Sequence, residues 1–223
     1  VWQNFHNHVL AGVIQECSQP VPPPHLNQSE VALFCKSDPG WVGPDLQIAF
    51  VTIPFDIIVG QQHPNSVSIL PGVVRPMSRG WVRLAGTDPL AKPLVNPNYL
   101  SARSDLDRLT QGMEIARDIF ATKAFAPWLS GEMSPGPSVA SVEDMRQFVL
   151  SKADSYHHQV GSCKMGSDAM SVVDPATLSV YGVEGLRVAD ASVMPVVPSG
   201  NCHTGIVMIG ERLADMLKRE HQL

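Results

Sequence analysis

The chain has 223 residues, 44% of them hydrophobic and 17% charged, a composition typical of one or two folded domains and unlike that of a disordered tail. The net charge of −5 and the lack of any Lys/Arg run argue against nucleic acid or an anionic membrane surface as a partner. The longest apolar stretch is too short to span a bilayer, so no membrane segment is evident.

The four cysteines, Cys17, Cys35, Cys163 and Cys202, form neither a C-x-x-C pair nor a zinc-binding framework. They favour reduced thiols in a cytoplasmic protein, and a single disulfide stays open at this point. The sequence begins at Val1 without a signal segment, so any targeting peptide lies beyond what it shows.

Apolar and β-branched runs in the first half of the chain predict an antiparallel sheet. A proline-rich stretch, residues 20–24, predicts a stiff loop between the first two strands. The turn residues between the other runs are typical of antiparallel connections. The predicted strands cover residues 9–17, 31–35, 46–54, 67–74 and 80–84.

Two helices are predicted next. Apolar residues at three- and four-residue steps place the first over residues 105–122, with Ser104 as its N-cap. The second begins after Ser141, whose hydroxyl can form a capping box with Asp144. Residues 127–137, between the two helices, predict a loop.

The last third of the chain has a different character, rich in His, Gly and small residues. A short strand is predicted over residues 186–190, and it ends on the carboxylate of Asp190. A turn over residues 199–201 and a helix over 205–218 follow it. Strand, loop and helix in this order are typical of the end of an α/β unit.

The strongest candidates for chemistry are the histidines of two glycine-rich loops. His157 and His158 lie in the first loop, His203 lies in the second, and the strand ending at Asp190 separates them. Loops of small residues let the backbone approach a ligand closely. A lone histidine is more often an ordinary buried residue, but two such loops flanking one strand favour a site.

Other sites are less well supported. His6 and His8 share one face of an extended segment, but no carboxylate stands at ligand spacing, so we expect no metal. Ser162 could be combined with His203 and Asp190 as a triad, but the chain has no G-x-S-x-G elbow. It also has neither a G-x-G-x-x-G nor a P-loop for phosphates.

Six segments together resemble the C-terminal part of the glucose–methanol–choline (GMC) family of FAD-dependent oxidoreductases. They occur in the family's order and cover nearly the whole chain, which makes the resemblance highly specific. The segments are residues 4–8 (Asn-Phe-His-Asn-His), 76–84, 93–100, 158–166, 185–195 and 199–215.

The resemblance implies an α+β protein of two parts. Residues 1–154 would be the substrate-binding domain, an antiparallel sheet with helices. Residues 155–223 would carry the active-site loop and a strand and helix that complete the FAD-binding α/β domain. The N-terminal FAD-binding half, with its G-x-G-x-x-G, is absent from this chain and would be its partner. A homodimer is compatible with the family.

The resemblance also implies roles for single residues. His158 matches the family's active-site histidine, and His203 matches a second position that is His or Asn in different members. The positions that approach FAD are Asp190, Ala191, Thr204, Gly205 and Ile206. This chain departs from the family at Asn7, where Asp is usual, and at Gly205 and Ile206, where Pro and Thr are common.

The implied reaction is oxidation of a small-molecule alcohol by hydride transfer to the flavin. His158 would accept the hydroxyl proton, and His203 would hydrogen-bond the same oxygen. The chain is choline dehydrogenase-like, although a histidine at 203 resembles the sugar- and aryl-alcohol-oxidising members more closely. Two alternatives stay open: a non-redox, lyase-like or non-catalytic relative with the same fold, and a metal-dependent hydrolase.

Overall fold

The computed structural model describes residues 3–23, 29, 31–52 and 65–222. The chain forms two compact units, and each is built from separate stretches of sequence. The first unit comprises Val1–His8, Arg75–Ser101 and Ser155–Leu223, and the second comprises Val9–Val74 and Ala102–Asp154.

In the described part of the chain seven strands precede the first helix, and strands and helices alternate after it. The strands are β1 (Val9–Leu10), β2 (Val13–Cys17), β3 (Val31–Cys35), β4 (Leu46–Val51), β5 (Ser66–Val73), β6 (Trp81–Arg83), β7 (Leu94–Asn96), β8 (Leu129–Ser134) and β9 (Asp154–Ser155). The helices are α1 (Arg103–Phe120), α2 (Val142–Lys152) and α3 (His203–Glu220), with a short 3₁₀ helix at Ala191–Val193.

The second unit is an antiparallel sheet covered by helices. Strand β4 pairs with β3 and β5, β5 pairs also with β1 and β2, and β2 pairs with β8. Leu46 stands opposite Val73 in the β4–β5 ladder. Both side chains are fully buried, so a one-residue slip of this register would turn the apolar set away from the core. The predicted α+β class with an antiparallel sheet is confirmed.

Helix α1 forms the main cover of this sheet. Its buried face includes Leu109, Met113 and Ala116, which repeat at the spacing of one helix face. Gly112 brings the helix close to β5, because a Cβ built at this position would stand 2.8 Å from the Cβ of Pro71. The predicted cap at Ser104 is wrong: α1 begins at Arg103 after Ala102, whose side chain makes no capping bond.

Helix α2 begins as predicted. The Ser141 hydroxyl accepts a hydrogen bond from the backbone N–H of Asp144, and the Asp144 carboxylate accepts one from the backbone N–H of Ser141. The reciprocal pair satisfies donors at the start of the helix that would otherwise lack a partner. Met145 and Val149 form the buried face of α2.

Three sequence expectations differ from the structure. The loop predicted over residues 127–137 contains strand β8, which obtains its ladder from β2. The strand predicted over residues 9–17 is interrupted between β1 and β2. The strand predicted over 186–190 does not form, and only a bridge joins Arg187 to Ser179. A strand forms where a neighbouring strand pairs with its backbone N–H and C=O groups. Among the described residues, the bridge to Ser179 gives this segment one such pair.

The first unit has its own core. Buried apolar residues from the loops after Val160 pack with α3, and they include Val173, Val193, Val197 and Ile209. Strands β6 and β7 form a separate antiparallel hairpin. Ser155, the predicted start of the C-terminal part, is also where this unit resumes, but the unit takes in earlier stretches as well. That the two units are the substrate and cofactor domains stays a prediction.

A search of the described residues for a helix with the length and apolar character of a membrane span finds none.

Candidate active site

The loop that carries His158 is held against residues 6–8 by backbone pairing. His6 donates its backbone N–H to Val160 O at 3.1 Å, and Val160 donates to His6 O at 2.9 Å. Asn7, the next residue, accepts a hydrogen bond through its side-chain oxygen from the backbone N–H of His158 at 2.8 Å. Its amide nitrogen donates to Ser155 Oγ at 2.8 Å and to Tyr99 Oη at 2.7 Å. The amide of Asn7 therefore fixes the backbone at the predicted base.

Residues with positive φ stand on both sides of His158. His157 has φ of 61°, a left-handed conformation that few residues other than glycine adopt. Gly161 has φ of 89°, and a Cβ at this position would stand 2.3 Å from the carbonyl oxygen of Asn4. The sharp bends at His157 and Gly161 set the path of the loop.

The ring of His158 contacts side chains from two other segments. Its Nδ1 lies 2.9 Å from Nδ1 of His8, and its Nε2 lies 3.3 Å from the amide nitrogen of Asn201. The Tyr156 ring stands 5.1 Å away, centroid to centroid. His8 is fully buried and His158 is half-buried, so the cluster is open on the His158 side.

Burial shifts the pKa values of His158 and Tyr156. It lowers the pKa of His158, and the nearby charge of His157 lowers the pKa further. Burial raises the pKa of the Tyr156 hydroxyl. The imidazole of His158 is thus neutral at pH 7, which is the form that can accept a proton.

His6 has a structural role instead. Its Nδ1 donates to Asn4 O at 2.6 Å, and its Nε2 accepts the backbone N–H of Val197 at 3.0 Å. Burial lowers the pKa of His6 to about 4, with a small contribution from the charge of Arg79. Both ring nitrogens are occupied, so the ring joins two loops and has no lone pair left for a metal.

The structure brings Asn201, rather than His203, to the predicted base. His203 is the first residue of α3 and is exposed, and no hydrogen bond or ring contact joins it to His158 within the described residues. The pairing of these two imidazoles stays a prediction. From the sequence, Asn201 is predicted only as part of a turn, and its amide two positions before His203 is the available signal.

The predicted cofactor residues lie at two chain turns. Asp190 is exposed and caps the 3₁₀ helix that begins at Ala191, accepting from the backbone N–H of Ser192 at 2.7 Å. Thr204, Gly205 and Ile206 belong to the first turn of α3.

The start of α3 has the chemistry that an electron-rich flavin edge requires. Cys202 precedes the helix, and its side chain makes no capping bond to the first N–H groups. The first turn contains no acidic residue, so the positive end of the helix dipole is not offset there. These residues therefore fit FAD.

Comparison with known proteins identifies the family of this chain. A family model described as GMC oxidoreductase matches residues 76–210, more than half of the chain. Mitochondrial choline dehydrogenase of Mus musculus is 36% identical over 247 residues, covering 98% of this chain and 41% of that enzyme. Choline oxidase of Arthrobacter globiformis is 37% identical over 216 residues, covering 93% of this chain and 39% of that enzyme.

Solved structures give the same picture. Pyridoxine 4-oxidase from Mesorbium loti superposes with a TM-score of 0.87 at 29% identity, covering 97% of this chain and 43% of that one. A formate oxidase of Aspergillus oryzae superposes with a TM-score of 0.88 at 22% identity, which supports the fold alone. The chain spans less than half the length of each of these relatives. It belongs to the GMC oxidoreductase family, whose members are FAD-dependent flavoenzymes.

Proposed function

We propose that this chain is the C-terminal portion of an FAD-dependent enzyme that oxidises an alcohol. An N-terminal FAD-binding half, with the phosphate-binding loop that this chain lacks, would complete the site. Family membership supports the proposal, as do relatives named choline dehydrogenase, choline oxidase and pyridoxine 4-oxidase.

His158 is the general base of the proposed reaction. When bound, FAD supplies the acceptor for the hydride that leaves the carbinol carbon. The hydride leaves more readily as the hydroxyl oxygen gains negative charge, so removal of its proton by a neutral imidazole assists the reaction. General-base help of this kind is worth ~10²–10⁴ in rate, or about 3–5 kcal/mol of barrier.

The observation that carries the proposal is the position of His158 Nε2. It lies 3.3 Å from the amide of Asn201, which immediately precedes Cys202, the N-cap of α3. The base therefore contacts the residue that stands two positions before the first residue of α3. A hydroxyl that replaced the amide at Nε2 would stand beside the N–H groups that favour electron-rich partners.

A second group is needed to hold the substrate oxygen. His203 would hydrogen-bond this oxygen, as the resemblance implies, and it follows Asn201 by two residues. The Asn201 amide is the second donor in reach, because it already contacts Nε2 of the base. One amide and one imidazole would then orient the hydroxyl toward His158.

The cofactor would be held by residues from the two turns described above. Backbone N–H groups at Thr204, Gly205 and Ile206 would face the electron-rich edge of the flavin. Asp190 and Ala191 would stand where the predicted strand ends, close to the other contacts with FAD.

Visible spectroscopy of the protein expressed from its complete gene tests this function. We expect a flavin spectrum that bleaches under anaerobic conditions with at least one of choline, pyridoxine, benzyl alcohol or glucose. Admission of oxygen then separates an oxidase, whose spectrum returns, from a dehydrogenase. A flavin that no alcohol bleaches would favour a non-redox relative, and absence of a flavin spectrum would contradict the proposal.

A further inference from the structure

The buried imidazole of His8 contacts the ring nitrogen of the proposed base that does not face Asn201. Its side chain is 0% exposed, and its Nδ1 lies 2.9 Å from Nδ1 of His158. Its other nitrogen, Nε2, lies 2.9 Å from the carbonyl oxygen of Pro198. The two rings stand nearly perpendicular, at 79°. His8 therefore touches the base without a route to bulk water.

The contact with Pro198 fixes which nitrogen of His8 carries its proton. A carbonyl oxygen can only accept a hydrogen bond, so Nε2 of His8 must donate. A neutral imidazole carries one N–H, which leaves a lone pair on Nδ1 of His8. An imidazolium would carry both protons, and its charge is costly to place at a fully buried position.

The lone pair on His8 in turn fixes the tautomer of His158. Because Nδ1 of His8 accepts, Nδ1 of His158 must carry the proton of their shared hydrogen bond. The remaining nitrogen of His158, Nε2, then has the lone pair. The Asn201 amide agrees with this assignment, since its nitrogen lies 3.3 Å from Nε2 as a donor would.

We propose that His8 is a positioning residue that holds His158 in the Nδ1–H tautomer, so that Nε2 always faces the substrate hydroxyl as a proton acceptor. The proposal rests on the proposed function, because it assigns a reason for the orientation of the same base.

His8 takes no part in the proton transfer itself. As the substrate O–H bond breaks, an N–H bond forms at Nε2 of His158, leaving an alkoxide and an imidazolium. Nδ1 of His158 keeps its proton and its bond to His8 throughout. Because His8 is neutral, it directs the base without adding a negative charge that would hold the proton there.

The matched variants are His8→Asn and His8→Leu. The Asn side-chain oxygen stands where Nδ1 of His8 stands and can accept from His158, whereas Leu has a similar size and no acceptor. In the intact flavoprotein labelled with ¹⁵N-histidine, we expect a pyridine-type Nε2 and a pyrrole-type Nδ1 for His158 in the wild type and in His8→Asn. In His8→Leu we expect the two signals to move toward averaged values.

Reduction of the flavin by the best alcohol of the panel gives the second measurement. We expect His8→Leu to slow it about 10²-fold, at the lower end of what a general base supplies. His8→Asn should recover at least about tenfold of that loss.

The two measurements separate this inference from the proposed function. A pyridine-type Nδ1 on His158 in the wild type overturns the role of His8, even if alcohols reduce the flavin and even if His8→Leu fails to fold. Equal tautomer signals in folded His8→Leu and wild type overturn it too. The expected signals in a protein that no alcohol reduces would support the tautomer assignment and remove only the proposed function.

Discussion

The amide nitrogen of Asn201 lies 3.3 Å from Nε2 of His158, on the side of the ring that is not in contact with His8. The two residues in hydrogen-bond contact with the His158 ring are uncharged when His8 is neutral. The imidazolium that would form during turnover therefore gains no ion pair from Asn201 or His8, which keeps the proton easy to release.

Asn201→Asp tests this relationship. The new carboxylate would stabilise the charged imidazolium and raise the pKa of His158, so less of the neutral base would be present at pH 7. We expect flavin reduction at pH 7 to slow roughly 10- to 10²-fold, within the range that a general base supplies. The acid limb of the pH profile, where the rate of flavin reduction falls as pH decreases, should move to higher pH. Stopped-flow reduction across pH 5–9 measures it.

Asn201→Leu is the control for charge. It removes the amide but adds no carboxylate, so the acid limb of its profile should not move upward. If Asn201→Asp left the limb where the wild type has it, the contact between residues 158 and 201 would be irrelevant to the titration of the base.

His158→Ala tests the base itself. We expect flavin reduction to slow ~10²–10⁴-fold, while the substrate concentration for half-saturation changes far less. In the wild type the rate should rise with pH through an apparent pKa below the usual ~6.5, because burial favours the neutral ring. His221→Ala, at the exposed end of α3, is the matched histidine control. Unchanged reduction in His158→Ala would remove the assignment.

The sequence predicted those parts of the fold that depend on residues close together in the chain. The capping box of Ser141 and Asp144 and the apolar face of α1 depend on residues three or four apart. Strand β8, with the sequence LSGEMS, has no β-branched residue and forms because β2 provides its ladder. A partner more than a hundred residues away leaves no mark on local propensity.

In the candidate site, too, contacts between residues that are distant in the sequence could not be predicted. His158 could be singled out because its segment resembles one family, but its partner His8 is 150 residues away in sequence. From the sequence alone, His8 and His6 stand two apart and suggest a shared face. In the structure the two rings have different partners: Asn4 and Val197 bind His6, whereas His158 and Pro198 bind His8.

Gly205→Asp tests whether the start of α3 faces the flavin. A carboxylate in the first turn would offset the positive end of the helix and disfavour added electrons. We expect the reduction potential of the flavin to fall by roughly 20 mV, from a Coulomb energy of about 1 kcal/mol and a two-electron couple. A spectroelectrochemical titration measures it.

Two variants control for sterics and for charge on the same helix. Gly205→Asn has the same size without charge, and Gly210→Asp places a carboxylate at a position with open space, about 1.4 turns further along. Neither variant should lower the reduction potential of the flavin as far as Gly205→Asp does. A potential that rises or stays constant in Gly205→Asp would contradict the placement of this helix.

Gly161→Ala should destabilise the protein through the loop that carries the base. Its φ of 89° strains any side chain, and its Cβ would also overlap the carbonyl oxygen of Asn4 at 2.3 Å. Gly182 has φ of 76° but open space around its Cβ position. We expect Gly182→Ala to cost about 1–2 kcal/mol and Gly161→Ala about 3 kcal/mol or more, by urea denaturation. Equal costs would mean that the close approach to Asn4 does not exist.

His6→Gln tests the buried ring that joins two loops. Because the native pKa of His6 is about 4 and its ordinary value 6.5, the unfolded chain binds a proton between these values and the native one does not. His6 therefore contributes stability that is complete above pH 6.5 and is lost as pH falls to about 4, roughly 3 kcal/mol in all. Gln keeps an acceptor for the N–H of Val197 without titrating, so its free energy of unfolding should vary less over this window. The control His221→Gln should follow the wild type, and a His6→Gln curve parallel to the wild type would show that His6 is not buried as a neutral ring.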